Sequence, residues 1–309
     1  WHQIGRGKGK LVALITPQDY SYAHFDRKLK KKARTAADDP ARDIPKALHH
    51  QLDRLSQLER GVVLGLDDEF LHQYRIAIRR SRAIAESVQE VTGDKALAKA
   101  VKSMKRHARA TGPLRDLHVF LQDLPELCGD NSEIRAALQI WFEREATNHH
   151  NKLVKRLQSK RYRDSMEHWL NLIESRKFHK LAGTVRPKDI RKAVQHRIKE
   201  FNKLTAELMH TSPDEDIHRL RKQLKRIRYL MELDTRTWKS ELKTLKARQQ
   251  LYGQFQDLHV QIELLEQFRK AAPEVLPAAL NGIVETVEER KADARKRILT
   301  LGGLDGAPL

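Results

Sequence analysis

The chain repeats itself. Shifted by 146 positions, Ile44, Lys46, Ala47, His50, Asp68, Glu69, His72, Arg75, Arg80, Arg82 and Glu86 fall without a gap on Ile190, Lys192, Ala193, His196, Asp214, Glu215, His218, Arg221, Arg226, Arg228 and Glu232. Farther on, the shift becomes 141. There Lys102, Lys105, Gly112 and Asp116-Leu117-His118-Val119 fall on Lys243, Lys246, Gly253 and Asp257-Leu258-His259-Val260. A loop of different length accounts for the change. Two copies of one unit in a 309-residue chain can each bury a core, and such copies commonly pack about a pseudo-twofold axis that brings matching faces together.

Within each copy the apolar residues step by three and four: Leu48, Leu52, Leu55 and Leu58, then Leu71, Tyr74, Ile78, Ala85 and Val88. That is helical spacing, and Asp67 or Asp68 is placed to cap the second helix. Few glycines and prolines interrupt the pattern, and a high charged fraction suits amphipathic helices with a wide polar face. Closing helices are predicted around Ile134 to Leu157 and Val275 to Leu299, with a bridging helix over Tyr162 to Arg176. Pro113 after Gly112 predicts a kink or break in the third helix of the first copy. The expected architecture is all-α, two four-helix bundles related by internal duplication and pseudo-twofold symmetry around a basic cleft. Its expected parts are a basic N-terminal segment (1–35), the first half with the bridging helix (36–180), the second half (181–301) and a flexible tail (302–309).

Sixty Lys and Arg against 41 Asp and Glu give a formal charge of +19, which draws the chain towards nucleic acid, polyphosphate or an anionic surface. Cys128 is the single cysteine, which excludes a disulfide framework and a cysteine-rich zinc site; we read it as an inert thiol in a reducing compartment. No stretch has the uncharged apolar length of a membrane span, and the start lacks the order of a signal peptide. A cytoplasmic protein is expected. The run Gly5-Arg6-Gly7-Lys8-Gly9-Lys10 lacks the ending of a phosphate loop and reads as part of a basic arm.

On the second helix of each copy a basic row runs beside the apolar one. His72, Arg75, Arg79 and Arg82 step by three, four and three; His218, Arg221, Lys225 and Arg228 repeat the steps, and Arg80, Lys222 and Arg226 widen the rows. No acid lies between the ends of either row. Like charges at this spacing repel by a few tenths of a kcal/mol per pair, and a merely soluble surface is better served by mixed signs. One such row alone would be read as a solvated face; two in register point to a bound polyanion, with arginine forks matched to phosphate and the leading histidines able to donate once protonated, below about 6.5. Lys102, Lys105, Arg106, Arg109, Lys243 and Lys246 form a second tier that either lines the same cleft or faces water. The Asp-Leu-His-Val segments could supply metal ligands or acid–base groups. The structural alternative, which we favour, has Leu117 and Val119 packing while Asp116, His118, Asp257 and His259 orient the basic rows. His149-His150 lacks helical ligand spacing, and His50 and His196 are as consistent with packing as with binding. Without a recognised catalytic motif, neither an enzyme, a catalytic residue, a metal nor a cofactor is expected.

The paired pattern His-x-x-Arg-x-x-x-Arg/Lys-x-x-Arg, together with Arg115-Asp-Leu-His-Val and Gln256-Asp-Leu-His-Val, resembles the CHAD family of histidine-containing α-helical domains over about Ile44 to Leu299. The resemblance implies two four-helix bundles that bind inorganic polyphosphate in a basic cleft, often at polyphosphate granules. Carried onto this chain, the implied binding set is His72, Arg75, Arg79, Arg82, His218, Arg221, Lys225 and Arg228. Lys225 stands where the first copy has Arg79, and Gln256 where it has Arg115, so unequal contributions from the two copies are expected. The alternative readings are an RNA- or DNA-binding protein, disfavoured by an aromatic content of 6% and no stacking platform, and a metal-dependent phosphohydrolase using the Asp-Leu-His-Val residues.

Overall fold

A computed structural model describes Ser21, Tyr22 and residues 40–305, and among these every regular element is helical. The basic arm read from residues 1–35 lies outside them apart from Ser21 and Tyr22. The helices are α1 (Ile44–Leu64), α2 (Asp68–Thr92), α3 (Lys95–Ala110), α4 (Gly112–Cys128), α5 (Ser132–Leu157), α6 (Lys160–Glu174), α7 (Arg176–Ala182), α8 (Pro187–Ala206), α9 (Asp214–Met231), α10 (Lys239–Ala271) and α11 (Pro277–Thr300). The 146-residue shift carries the first residue of α2 onto the first residue of α9. The expected break at Gly112-Pro113 separates α3 from α4, whereas the matching stretch of the second copy runs through as the single helix α10.

The chain forms two compact units whose limits differ from those of the sequence copies. One comprises the described residues to Arg115 together with Asn148–Val185; the other comprises Asp116–Thr147 together with the described residues from Arg186. The copies divide near residue 180, but Asp116–Thr147 of the first copy belongs to the compact unit of the second. Helices α4 and α5 each pass from one unit to the other.

In the first unit, Asp43 caps α1 by accepting from the Lys46 amide at 3.0 Å, and Asp67 caps α2 by accepting from the Glu69 amide at 2.8 Å. Gly65 closes α1 in the left-handed region at φ 62°, a conformation that glycine adopts without steric penalty. Gly61 is required for a different reason: a Cβ there would lie 2.2 Å from the Phe70 ring, so its bare backbone lets α2 approach α1. The predicted apolar stripes are buried, with Leu48, Leu58, Tyr74, Ile78, Ala85 and Val88 excluded from solvent. Two buried phenols join the unit's middle. Tyr74 donates to the Tyr162 hydroxyl at 2.5 Å, and Tyr162 donates to Glu59 at 2.9 Å. Each buried oxygen thereby finds a partner, while burial lifts the Glu59 carboxyl above its ordinary range despite the Tyr162 hydrogen bond. His150 donates to the Val62 carbonyl at 2.8 Å near the end of α1, which gives that histidine a structural role.

The second unit is organised on α10. Phe120, Phe142 and Phe268 bury their rings together, with Trp141 edge-on to Phe142 and Phe268. Cys128 is a free, buried thiol whose pKa is raised by that burial, in keeping with an inert role. The start of the expected flexible tail is tied down. Arg248 donates to the carbonyls of Leu301, Gly302 and Gly303 at 2.7–2.8 Å, and Asn202 exchanges two hydrogen bonds with the Leu304 backbone. A multidentate guanidinium on three successive carbonyls holds Gly302 to Asp305 in place of fraying; residues 306–309 lie outside the described residues.

Candidate polyanion-binding site

The α2 row emerges from the first unit half-buried at its base and exposed at Arg80. The helix orders its own start, since Asp68 and Glu69 sit in the first turn where the helix dipole favours acids. His72 follows one turn later. Its pKa is lowered by burial first, then by the Arg115 guanidinium and by Arg79 and Arg75, against an opposing pull from Glu69. Arg75 turns towards the end of α3, donating to the Ala108 carbonyl at 3.2 Å and the Thr111 hydroxyl at 3.1 Å. Arg82 has Glu86 at 3.6 Å. Arg79 and Arg80 make no ion pair or hydrogen bond among the described residues.

The second-tier residues of the first unit, Lys102, Lys105, Arg106 and Arg109, are all exposed on α3. They recur at three- and four-residue steps on the face opposite Leu97, Val101, Met104 and Ala108, which are buried. The Arg75 hydrogen bonds bring the α2 row to the C-terminal end of this tier.

The α9 row belongs to the second unit and is tied more closely to its surroundings. His218 Nδ1 shares a short hydrogen bond with the Gln256 side-chain oxygen. Burial lowers the His218 pKa, with Lys222, Arg221 and Lys225 acting in the same direction and the Gln256 hydrogen bond acting against them. Arg228 is clamped by Glu232 at 2.7 Å and Gln249 at 2.8 Å, with its guanidinium over the Tyr229 ring. Asp257 retains solvent contact, yet crowding raises its carboxyl pKa. Arg221 and Lys225 oppose that rise, while Asp116 and Asp123 add to it. Arg226 is half-buried, whereas Lys222 on α9 and Lys243 and Lys246 on α10 are exposed.

The CHAD domain family matches residues 46–266, more than half of the chain and across both basic rows. The chain belongs to the CHAD family. It is similar in structure to the crystal structure of the CHAD domain from the plant Ricinus communis, with a TM-score of 0.67 and 22% identity over 87% of this chain and 93% of that one. It is also similar to PptA from Streptomyces chartreusis, with a TM-score of 0.58 and 16% identity over 82% of this chain and 95% of that one. No curated protein matches it.

In this CHAD chain the leucines of the Asp-Leu-His-Val segments pack into the core. Leu117 and Leu258 are buried, while Val119 and Val260 are half-buried. His259 Nδ1 lies 3.1 Å from Asp214, the first residue of α9, and its Nε2 is 3.5 Å from Glu263. Lys291 and Arg295 also bind Asp214, and they outweigh burial to hold its carboxyl below the usual range. The histidine thus steadies the start of the helix that carries the row. Asp116 lies beside Asp257, and His118 is half-buried on α4. His196 is exposed on α8, with Glu200 at 3.6 Å. Among the described residues, no three or more His, Cys, Asp or Glu side chains gather to hold a metal, and no helix is long and apolar enough to cross a membrane.

Both leading histidines have lowered pKa values. The expectation of protonation near 6.5 is therefore corrected downwards for the free protein, because burial and neighbouring cations both disfavour imidazolium. The sequence noted Arg115 and Gln256 only as a departure from symmetry; the fold sets each beside the histidine of its own row.

Proposed function

We propose that this CHAD protein binds inorganic polyphosphate without catalysing its turnover, the basic rows of α2 and α9 meeting successive phosphates of the polymer, and that it works in the cytoplasm at polyphosphate granules. The observation that carries this reading is a pair of rows without an internal acid, in which Arg79 and Arg80 have no carboxylate partner among the described residues. Guanidinium forks gathered without counterions favour a ligand that brings several phosphates at once. An unstructured polymer of phosphates needs no stacking platform, which suits an aromatic content of 6%.

The test is a competition titration of long-chain polyphosphate against RNA and DNA at several salt concentrations. Every polyanion should bind less tightly as salt rises, because binding releases counterions. Polyphosphate should outcompete both nucleic acids at equal charge; equal or better competition by RNA or DNA would transfer the reading to nucleic acid. Combined R75E and R221E substitutions should abolish binding with helicity retained by circular dichroism. Since Arg75 also holds the end of α3, R79E with K225E provides a second variant that spares this contact. Phosphate release from polyphosphate in any divalent metal would overturn the non-enzymatic part.

A further inference from the structure

A second concentration of positive charge lies in the first unit where α3, the end of α5 and the start of α6 meet. Arg156 of α5 donates to the Arg106 carbonyl at 3.3 Å, which fixes its side chain against α3. Arg106 in turn reaches the Ser103 hydroxyl at 3.3 Å. Ser103 is hydrogen-bonded to Ser165 of α6 at 2.6 Å, and Ser165 to His107 Nε2 at 3.0 Å. Arg161 on the first turn of α6 is near enough for its charge to act on the same histidine. Arg106, Arg156 and Arg161 are exposed, and none makes an ion pair among the described residues.

His107 records their convergence. It is buried against the Tyr162 ring, and its pKa falls to about 4 through burial first, then through the charges of Arg156, Arg106 and Arg161. Three guanidiniums on different helices thus act on one imidazole. Holding like charges together costs free energy that a bound multivalent anion would offset. A helical surface seeking only solubility would spread them or mix in acids.

We propose that Arg106 of the α3 tier, together with Arg156 and Arg161, forms a phosphate-binding site in the first unit that uses none of the residues of the α2 and α9 rows. The ligand chemistry is a phosphate group with at least two negative charges, presented to guanidinium forks that can donate in pairs. Such a group could belong to free phosphate or to a phosphate polymer. The site stands whether or not the rows bind polyphosphate.

The experiment is an NMR titration of the full chain with orthophosphate, tripolyphosphate and long-chain polyphosphate, following the His107 imidazole and the Arg156 and Arg161 side-chain NH signals. A bound anion cancels part of the guanidinium field, so the His107 pKa should rise and both arginine signals should move. The same response should persist in the R79E/K225E protein, which separates this site from the rows. Saturation by orthophosphate would identify a free phosphate group as sufficient; response only to the longer ligands would identify a polymer segment. R161Q, which removes a side chain with no ion-pair partner among the described residues, should weaken the response about tenfold, as loss of one charge-assisted contact does. Unmoved His107 and arginine signals with all three ligands, or an R161Q titration identical to that of the parent, would overturn the site.

Discussion

The α2 and α9 rows carry nearly the same sequence pattern yet sit in different electrostatic surroundings. On α2, Arg79 and Arg80 have no hydrogen-bond or ion-pair partner among the described residues, and Arg115 adds a further cation beside His72. On α9, Glu232 and Gln249 clamp Arg228, Asp257 stands near Arg221 and Lys225, and neutral Gln256 holds His218. The two helices share the spacing of their basic residues while their neighbours differ. On α2, Arg79 and Arg80 keep their charge available to a ligand while Arg75 and Arg82 are engaged; on α9, Arg228 is held more tightly, by Glu232 and Gln249 together. Counting basic residues alone would rank the two rows the other way, because the second row has five Lys or Arg and the first has four.

The largest effect should come from breaking the freer row. R79E with R80E is expected to weaken polyphosphate binding at least about a hundredfold, since each substitution removes a charge-assisted contact and installs a repulsive one. R228E with K222E should cost roughly tenfold, because Arg228 is already engaged by Glu232. Titrations at one fixed salt concentration measure the ratio. Equal losses from the two pairs would show that internal partners do not set a row's contribution.

A smaller change should follow from Asp257→Asn. This keeps a hydrogen-bonding side chain beside Arg221 and Lys225 while removing a negative charge from beside the row proposed to bind phosphate, so affinity should rise about threefold. Direct titration at neutral pH checks the sign. Weaker binding would instead give Asp257 the orienting role that the sequence suggests, the carboxylate being needed to aim its two cations.

How much of this was legible in the sequence depended on the range of the interaction. Helices, caps and the α3–α4 break are local: Asp67, Gly65 and Gly112-Pro113 act within a turn of their own positions, and apolar spacing marked Leu48, Tyr74 and Ile78 as core. The rows were equally visible, because one helix brings its third and fourth neighbours onto one side. The partners were hidden. Gln256 meets His218 from α10, and Lys291 and Arg295 reach Asp214 from α11, at separations that no local period encodes. Arg156 and Arg161 have no counterpart flagged by the repeat, so their meeting with Arg106 depends on how α3, α5 and α6 pack. The fate of the tail was unreadable for a similar reason, since Gly and Pro content suggests fraying while Arg248 and Asn202 hold the chain through its backbone.

The most sensitive comparison is an exchange of the residues beside the two histidines. In the free protein both imidazoles have lowered pKa values, whereas bound phosphates should favour imidazolium and raise them. Binding therefore takes up protons. Affinity should be greatest below the free-state pKa values, decline as pH rises through the window between free and bound values, and level off above it. Replacing Arg115 by Gln removes a cation from His72, so its free-state pKa should rise and the decline should start at higher pH. Replacing Gln256 by Arg removes the hydrogen bond that supports His218 and adds a cation, so the His218 pKa should fall further. NMR titration of each imidazole in the two single variants should therefore show displacements of opposite sign. If His72 does not respond to the loss of Arg115, burial and the charges of its own helix govern it, and the electrostatic distinction between the rows fails at their leading residues.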